Sequence, residues 1–128
     1  MIRRVADAIR AAVREYDVPA RFGGDEFAVL MPETTLAEAM TVAERIRREV
    51  ESIVLKSPEG SIRAASVSIG VALFPSHGRS ASDLLAAADR AVYQAKALGR
   101  NRVCAFAAID GEAIRPIRAH AASRQEAR

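Results

Sequence analysis

The sequence predicts an α+β fold, a ferredoxin-like sandwich in which helices pack against a mostly antiparallel sheet. Three segments place apolar residues at the three- and four-residue steps of amphipathic helices. Between them lie short apolar runs that end at glycine or proline, a pattern typical of strands. At 128 residues, half of them apolar, the chain has the size and composition of one globular domain.

The predicted order is helix, hairpin, helix, strand, helix, strand. A Gly-Gly pair between two apolar runs predicts a tight hairpin. Thr35 and Glu38 match a capping box before the second helix, and Tyr93 is predicted to lie in the core. The predicted elements are a helix over residues 1–16, a hairpin over 20–31, a helix over 35–54, a strand over 62–74, a helix from its cap Ser82 to Gly99, and a strand over 102–106.

The apolar pattern fades towards the end of the chain. We therefore predict a folded domain over residues 1–106 and a mobile C-terminal tail over residues 107–128. The first helix begins in mid-pattern without a capping residue, which suggests that the natural chain continues upstream. The single cysteine, Cys104, and the lack of a signal-peptide pattern favour a cytoplasmic protein, with a membrane-anchored longer parent left open.

The charge pattern argues against a nucleic-acid partner. The formal net charge is +3, the arginines are dispersed along the chain, and aromatic residues make up only 5% of it. Proteins that bind single-stranded nucleic acid combine a basic groove with aromatic stacking platforms. We expect no nucleic-acid binding.

The hairpin carries the first candidate site. Gly23 and Gly24 let the backbone approach a ligand closely, because neither has a Cβ atom. Asp25 and Glu26 follow directly, and adjacent carboxylates beside a bound triphosphate suit Mg²⁺ or Mn²⁺. Such an ion neutralises phosphate charge and activates a 3′-hydroxyl for attack on an α-phosphorus.

Two further groups of charged residues suit phosphate binding. Lys96 and Arg100 are four residues apart, hence on one helix face, where they are suited to clamp phosphates. Arg14 and Asp17, three residues apart before the hairpin, form a second set, in which an arginine and an acid can bind phosphates and the Watson–Crick edge of guanine. A plain surface salt-bridge set is the alternative interpretation of these residues and of Arg45.

These motifs resemble the GGDEF family, the diguanylate cyclases. The signature Gly-Gly-Asp-Glu-Phe occupies residues 23–27 on the predicted hairpin. Residues 66–72 are similar to a later strand of the family, and residues 89–102 to its closing helix and Gly-Arg-Asn turn. The resemblance covers residues 1–106, as a partial GGDEF domain of the nucleotidyl-cyclase palm type.

The resemblance implies an enzyme that condenses two GTP into the bacterial second messenger cyclic di-GMP, with release of diphosphate. It implies a homodimer with one GTP on each domain, and an upstream sensory domain in a full-length parent. By the same resemblance, Asp25 would bind the metal and assist deprotonation of the 3′-hydroxyl, and Glu26 would help bind the metal. Gly23 and Gly24 would border the nucleotide, and Lys96 and Arg100 would hold the triphosphate. The site at which cyclic di-GMP inhibits the enzyme would be formed by Arg14, Asp17 and Arg45.

The chain departs from the family pattern at its start. The family's domain normally begins with a strand that carries a metal-binding aspartate, followed by a helix and a loop that recognise guanine and ribose. None of these elements precedes the first helix here. We therefore expect impaired catalysis and an open apolar sheet edge that favours association. A non-catalytic module that binds cyclic di-GMP or GTP is the alternative.

Overall fold

The computed structural model describes residues 2–107 and 123–127. These residues form a mixed α+β structure, which confirms the predicted fold class. The strand over residues 54–56 was not predicted, because the helical pattern was extended to residue 54. The elements are α1 (Ile2–Ala12), β1 (Val18–Arg21), β2 (Glu26–Leu30), α2 (Leu36–Glu51), β3 (Val54–Lys56), β4 (Ile62–Val71), α3 (Ala81–Ala97), β5 (Val103–Ala105) and β6 (Ser123–Ala127).

The sheet has the strand order β1-β2-β6-β4-β3, and β5 pairs with β4 beside this path. Every pairing is antiparallel except that of β4 with β5, which is parallel. The connection from β4 through α3 to β5 is therefore a crossover, whereas β1 and β2 form a direct hairpin. None of the described helices is both long enough and apolar enough to cross a membrane.

The strand β6 falls within the range predicted as a mobile tail. It lies between β2 and β4 and is antiparallel to both. Its sequence, Ser-Arg-Gln-Glu-Ala, has no apolar pattern, but the ladder bonds of a sheet are made by the backbone and do not require apolar side chains. Residues 108–122 and Arg128 lie outside the described residues, so the tail there stays a prediction.

The two faces of β4 pack against different helices. Val67, Ile69 and Val71 share one core with buried residues of α1 and α2. A Cβ atom added to Gly70 would point to the opposite face, where it would lie 2.1 Å from the carbonyl oxygen of Ala88 in α3. The backbones of β4 and α3 are therefore in direct contact at this glycine, and the sheet is covered by α1 and α2 on one side and by α3 on the other.

Among the described residues, the strand position between β2 and β4 is only partly filled. β6 pairs with Glu26 and Phe27 of β2, at the start of that strand. Beyond this point a cavity of about 400 Å³ separates the rest of β2 from the end of β4 and from the first turns of α3. Its lining is almost entirely apolar, and the side chains of Val18 and Leu30 beside it are more than half exposed. This open apolar surface agrees with the open apolar sheet edge expected from the sequence. The association of chains through that edge stays a prediction.

The helix caps agree with the predictions in one case and correct them in the other. Thr35 and Glu38 form the capping box before α2. α3 is capped by Ser80, whose side chain accepts a hydrogen bond from the backbone of Asp83, so the assignment of Ser82 was wrong.

Tyr93, predicted to be in the core, is 75% exposed, because α3 is buried through its alanine-rich face instead.

We expect Gly70→Ala to lower the free energy of unfolding by about 3 kcal/mol, since the added methyl group would overlap the α3 backbone. Gly60→Ala is the matched control: its φ of +86° disfavours alanine, but no atom lies within 4 Å of the added Cβ, so about 1 kcal/mol is expected. Urea unfolding followed by circular dichroism measures both. Equal losses for the two variants would contradict the close contact of β4 with α3.

Candidate functional site

The hairpin between β1 and β2 ends in an open glycine turn. Gly23 and Gly24 have φ angles of +101° and +31°, and no atom lies within 4 Å of a Cβ built on either residue. The turn is closed by two backbone hydrogen bonds, from Phe22 N to Glu26 O at 2.9 Å and from Glu26 N to Gly23 O at 3.0 Å. The backbone conformation disfavours residues other than glycine at both positions, and the space around the turn is accessible to a ligand.

The carboxylates follow this turn in different surroundings. Asp25 is exposed at the turn, whereas Glu26 is half-buried at the start of β2. The next residue, Phe27, belongs to the core shared with α1 and α2. Because successive side chains of a strand point to opposite faces, Glu26 lies on the face of the sheet that α3 covers.

The cationic candidates lie at the C-terminal end of α3. Lys96 is in the last turn of the helix, which ends at the cap residue Leu98. The amide of Gly99 donates to Lys96 O at 3.2 Å and that of Arg100 to Ala95 O at 2.9 Å, the two bonds of a Schellman motif. This motif turns the chain out of the helix, and it leaves Arg100 exposed.

The sheet register relates the hairpin to the helix. Glu26 and Ser68 both pair with Arg124 of β6, so they stand at the same level on either side of that strand. α3 contacts Gly70 at Ala88 and Val92, and Lys96 lies one helical turn further on, in the direction of Ser68. Glu26 and the end of α3 that carries Lys96 therefore share one face and one level of the sheet.

A second cluster surrounds Asp17, whose side chain is fully buried. The Arg14 guanidinium donates to it from Nε at 3.0 Å and from Nη2 at 2.9 Å, and the backbone amide of Arg14 donates at 2.8 Å. These hydrogen bonds lower the pKa of Asp17 against the opposing effect of burial, and the charge of Arg45 lowers it further. The structure thus brings Arg14 and Asp17 together as a bidentate pair, with exposed Arg45 within electrostatic reach.

Thr34 is a member of this cluster that the sequence did not reveal. Its hydroxyl accepts a hydrogen bond from Arg14 Nη2 at 2.6 Å, and Glu38 lies 3.8 Å from Arg14 Nη1. The Arg14 guanidinium also lies over the ring of Tyr16, at 4.7 Å from its centroid. No spacing along the chain links residue 34 to residue 14, so only the folded structure could have shown this contact.

Comparison with known proteins gives the class of protein. The profile of the family "Diguanylate cyclase, GGDEF domain" matches residues 1–102. The chain therefore belongs to the GGDEF family.

Curated relatives and solved structures agree with this assignment. The chain is 42% identical over 109 residues to Response regulator PleD of Caulobacter vibrioides, covering 84% of this chain and 24% of that protein. It is 43% identical over 103 residues to Diguanylate cyclase DosC of Escherichia coli, covering 80% and 22%. This chain thus spans about a quarter of the length of these relatives.

Among solved structures, the GGDEF domain of PA1120 from Pseudomonas aeruginosa matches with a TM-score of 0.73 and 37% identity, over 82% of this chain and 65% of that one. The GGDEF domain of DgcB from Caulobacter crescentus, solved in complex with c-di-GMP, matches with a TM-score of 0.65 and 34% identity, over 82% and 62%. The fold described above is therefore that of GGDEF domains.

The lowered pKa of Asp17 predicts a pH-dependent contribution to stability. The ionised carboxylate stabilises the fold above its unfolded-state pKa, about 3.9, and this stabilisation is lost as the pH falls through the lower folded-state value. We expect Asp17→Asn to cost about 2 kcal/mol at neutral pH and progressively less below about pH 4. Urea unfolding between pH 7 and pH 3 measures the difference.

Asp7→Asn is the matched control for this prediction. Asp7 also pairs with an arginine three residues away, but at 3.7 Å and with its side chain 63% exposed. Such surface pairs contribute little. A loss of stability at Asp7 equal to that at Asp17, or a difference for Asp17→Asn that grows on acidification, would contradict the assignment.

Proposed function

We propose that this chain is part of a diguanylate cyclase domain, which condenses two GTP into cyclic di-GMP with release of diphosphate. The observation that carries the proposal is the open Gly23-Gly24 turn beside Glu26, on the sheet face that also holds the Lys96 end of α3. Membership of the GGDEF family supports it, as do the relative named diguanylate cyclase and the neighbour solved with c-di-GMP.

In this proposal the glycine turn, the two cations of α3 and Asp25 have different roles. The glycine turn borders the nucleotide, since its backbone is accessible and carries no side chains. Lys96 and Arg100 hold the triphosphate and neutralise the charge that develops on the departing diphosphate. Asp25, exposed at the turn, accepts the proton of the attacking 3′-hydroxyl.

Asp25 and Glu26 suit Mg²⁺ or Mn²⁺ only in combination with the substrate. In the described part of the chain, no group of three or more potential metal ligands is present. Mg²⁺ commonly binds to one or two carboxylates and completes its coordination with substrate phosphates and water, which fits this pair. When bound, the ion would neutralise phosphate charge and lower the pKa of the attacking hydroxyl.

The chemistry of the product requires two such sites. Cyclic di-GMP contains two phosphodiester bonds, each formed when the 3′-hydroxyl of one GTP attacks the α-phosphorus of the other. Two chains that face each other, each with one GTP, bring both reacting pairs together. We therefore propose a catalytic homodimer. Because the chain spans about a quarter of the length of its curated relatives, we also propose a longer parent protein in which a sensory domain controls this arrangement.

We further propose that the 128-residue chain alone turns over GTP slowly or not at all. Among the described residues, β6 pairs with β2 only at Glu26 and Phe27, and Asp25 and Glu26 belong to no group of three or more potential metal ligands. A non-catalytic module that binds cyclic di-GMP or GTP is the second candidate. The bidentate pair of Arg14 and Asp17, with Arg45 nearby, favours it as a binding site for cyclic di-GMP.

Lys96→Ala tests the triphosphate site. We expect it to weaken the binding of GTP, measured by titration calorimetry with Mg²⁺ present, by about ten-fold, because one phosphate-binding cation is removed. Lys56→Ala, an exposed position on β3, is the matched control and should leave binding unchanged. GTP binding that is insensitive to Lys96→Ala would refute the assignment of the end of α3 to the triphosphate. Production of cyclic di-GMP at the rate of a complete cyclase would refute the proposed impairment of catalysis.

Arg45→Ala tests the second site. Arg14 is less suitable, because its removal would leave the buried Asp17 carboxylate without its partner. We expect Arg45→Ala to weaken cyclic di-GMP binding by about ten-fold through loss of a phosphate contact, while Arg63→Ala on β4 has no effect. If both variants bind as the wild type does, Arg14, Asp17 and Arg45 form a structural ion-pair group rather than a ligand site.

A further inference from the structure

We propose that Arg47, Glu51 and Asn101 are positioning residues that orient Arg100 towards the triphosphate. A contact between α2 and the turn after α3 would thereby control the affinity for GTP. The inference rests on the proposed function, because it assigns Arg100 to the phosphates.

The turn after α3 has an unusual backbone. Gly99, Arg100 and Asn101 have φ angles of +121°, +65° and +46° in succession. Glycine adopts such angles without penalty and asparagine tolerates them, whereas the Cβ of an arginine is crowded against the backbone there. A conformation of this kind persists only where the surrounding structure holds it, and it is found frequently at functional sites.

Side chains of α2 hold this turn from across the domain. Arg47 Nη1 donates to Asn101 Oδ1 at 3.2 Å, and Asn101 Nδ2 donates to the carboxylate of Glu51. Arg47 Nη1 also pairs with Glu51 at 3.2 Å, and its side chain is only 15% exposed. Both ends of the Asn101 amide are therefore bound, which fixes this residue against α2.

The backbone of Arg100 is held on both sides as well. Its amide donates to Ala95 O at 2.9 Å, and its carbonyl oxygen accepts from Arg102 Nε at 3.1 Å. With Asn101 anchored to α2, the φ angle of Arg100 stays in the left-handed region. A change to the right-handed region would send the Arg100 side chain in another direction.

Orientation matters more for Arg100 than for Lys96. A guanidinium is planar and binds phosphate through two parallel hydrogen bonds, so its affinity depends on angle as well as distance. An ammonium group acts as a point charge and tolerates rotation. Arg47, Glu51 and Asn101 would therefore pre-organise the one cation of the pair whose geometry is critical, without touching the ligand themselves.

A double-mutant cycle tests this role. Titration calorimetry on the full chain with Mg²⁺ would measure GTP and GMP binding by the wild type, Asn101→Ala, Arg100→Ala and the double variant. We expect each single variant to weaken GTP binding by about ten-fold. The double variant should be no weaker than Arg100→Ala, because Asn101 acts through Arg100. GMP lacks the β- and γ-phosphates and should bind equally to all four.

Two further variants separate positioning from simple loss of stability. Asn101→Gly accepts the left-handed backbone without strain but loses the anchor, so it should fold and still bind GTP more weakly. Arg47→Ala should weaken GTP binding in the same way. Arg48→Ala is its control: both arginines pair with Glu44, but only Arg47 also donates to Asn101, and the Arg48 side chain is 74% exposed.

The outcomes distinguish the two proposals. Absence of GTP binding by the folded wild type would overturn both the proposed function and the positioning role. GTP binding in which the effects of Asn101→Ala and Arg100→Ala multiply would overturn the positioning role alone. Equal losses for Arg47→Ala and Arg48→Ala would also overturn it, because, of these two arginines, it is Arg47 that binds Asn101.

Discussion

Residues 65–71 of β4 are buried from both sides, by α1 and α2 on one face and by α3 on the other. Gly70 makes this possible, since any larger residue would push α3 away from the strand. The close contact fixes the height and direction of α3 over the sheet. Through the pairings of β4 and β2 with β6, it also fixes where the end of that helix lies relative to the hairpin.

The candidate site depends on this arrangement because its parts come from distant segments. The glycine turn and its acids belong to a hairpin, and the cations belong to the end of a crossover helix. The hairpin supplies an accessible backbone and negative charge, whereas the helix end supplies positive charge. Glu26 and the Lys96 end of α3 lie on the same sheet face and at the same level, and the Schellman motif at the end of α3 turns the chain at Arg100 out of the helix.

The polar strand β6 has the opposite character to β4. It lies between β2 and β4, a position normally rich in apolar residues, yet its sequence is Ser-Arg-Gln-Glu-Ala. Beyond its pairing with Phe27 the apolar cavity remains. In the described residues, apolar side chains of β2 beyond Phe27 therefore stay open beside this strand position.

Much of the fold could be predicted from short-range patterns. The Gly-Gly hairpin, the capping box of α2 and the apolar face of α1 depend on residues within one or two turns of each other, and all are present. The error at Tyr93 arose where the tertiary environment selects between local possibilities. Tyr93 was predicted to be in the core, but α3 is buried through a face made chiefly of alanines, which allows its backbone to approach Gly70 of β4 closely.

The sequence by itself determined the local chemistry of this protein. It places two glycines before two acids, and an arginine three residues before an aspartate, so that the turn and the Arg14–Asp17 pair form from neighbouring residues. Only the tertiary structure decided that Thr34 joins Arg14, that Arg47 binds Asn101 from 54 positions away, and that Ser123–Ala127 lies between β2 and β4. These contacts depend on how the helices and strands are packed in three dimensions, and no spacing along the chain records that packing.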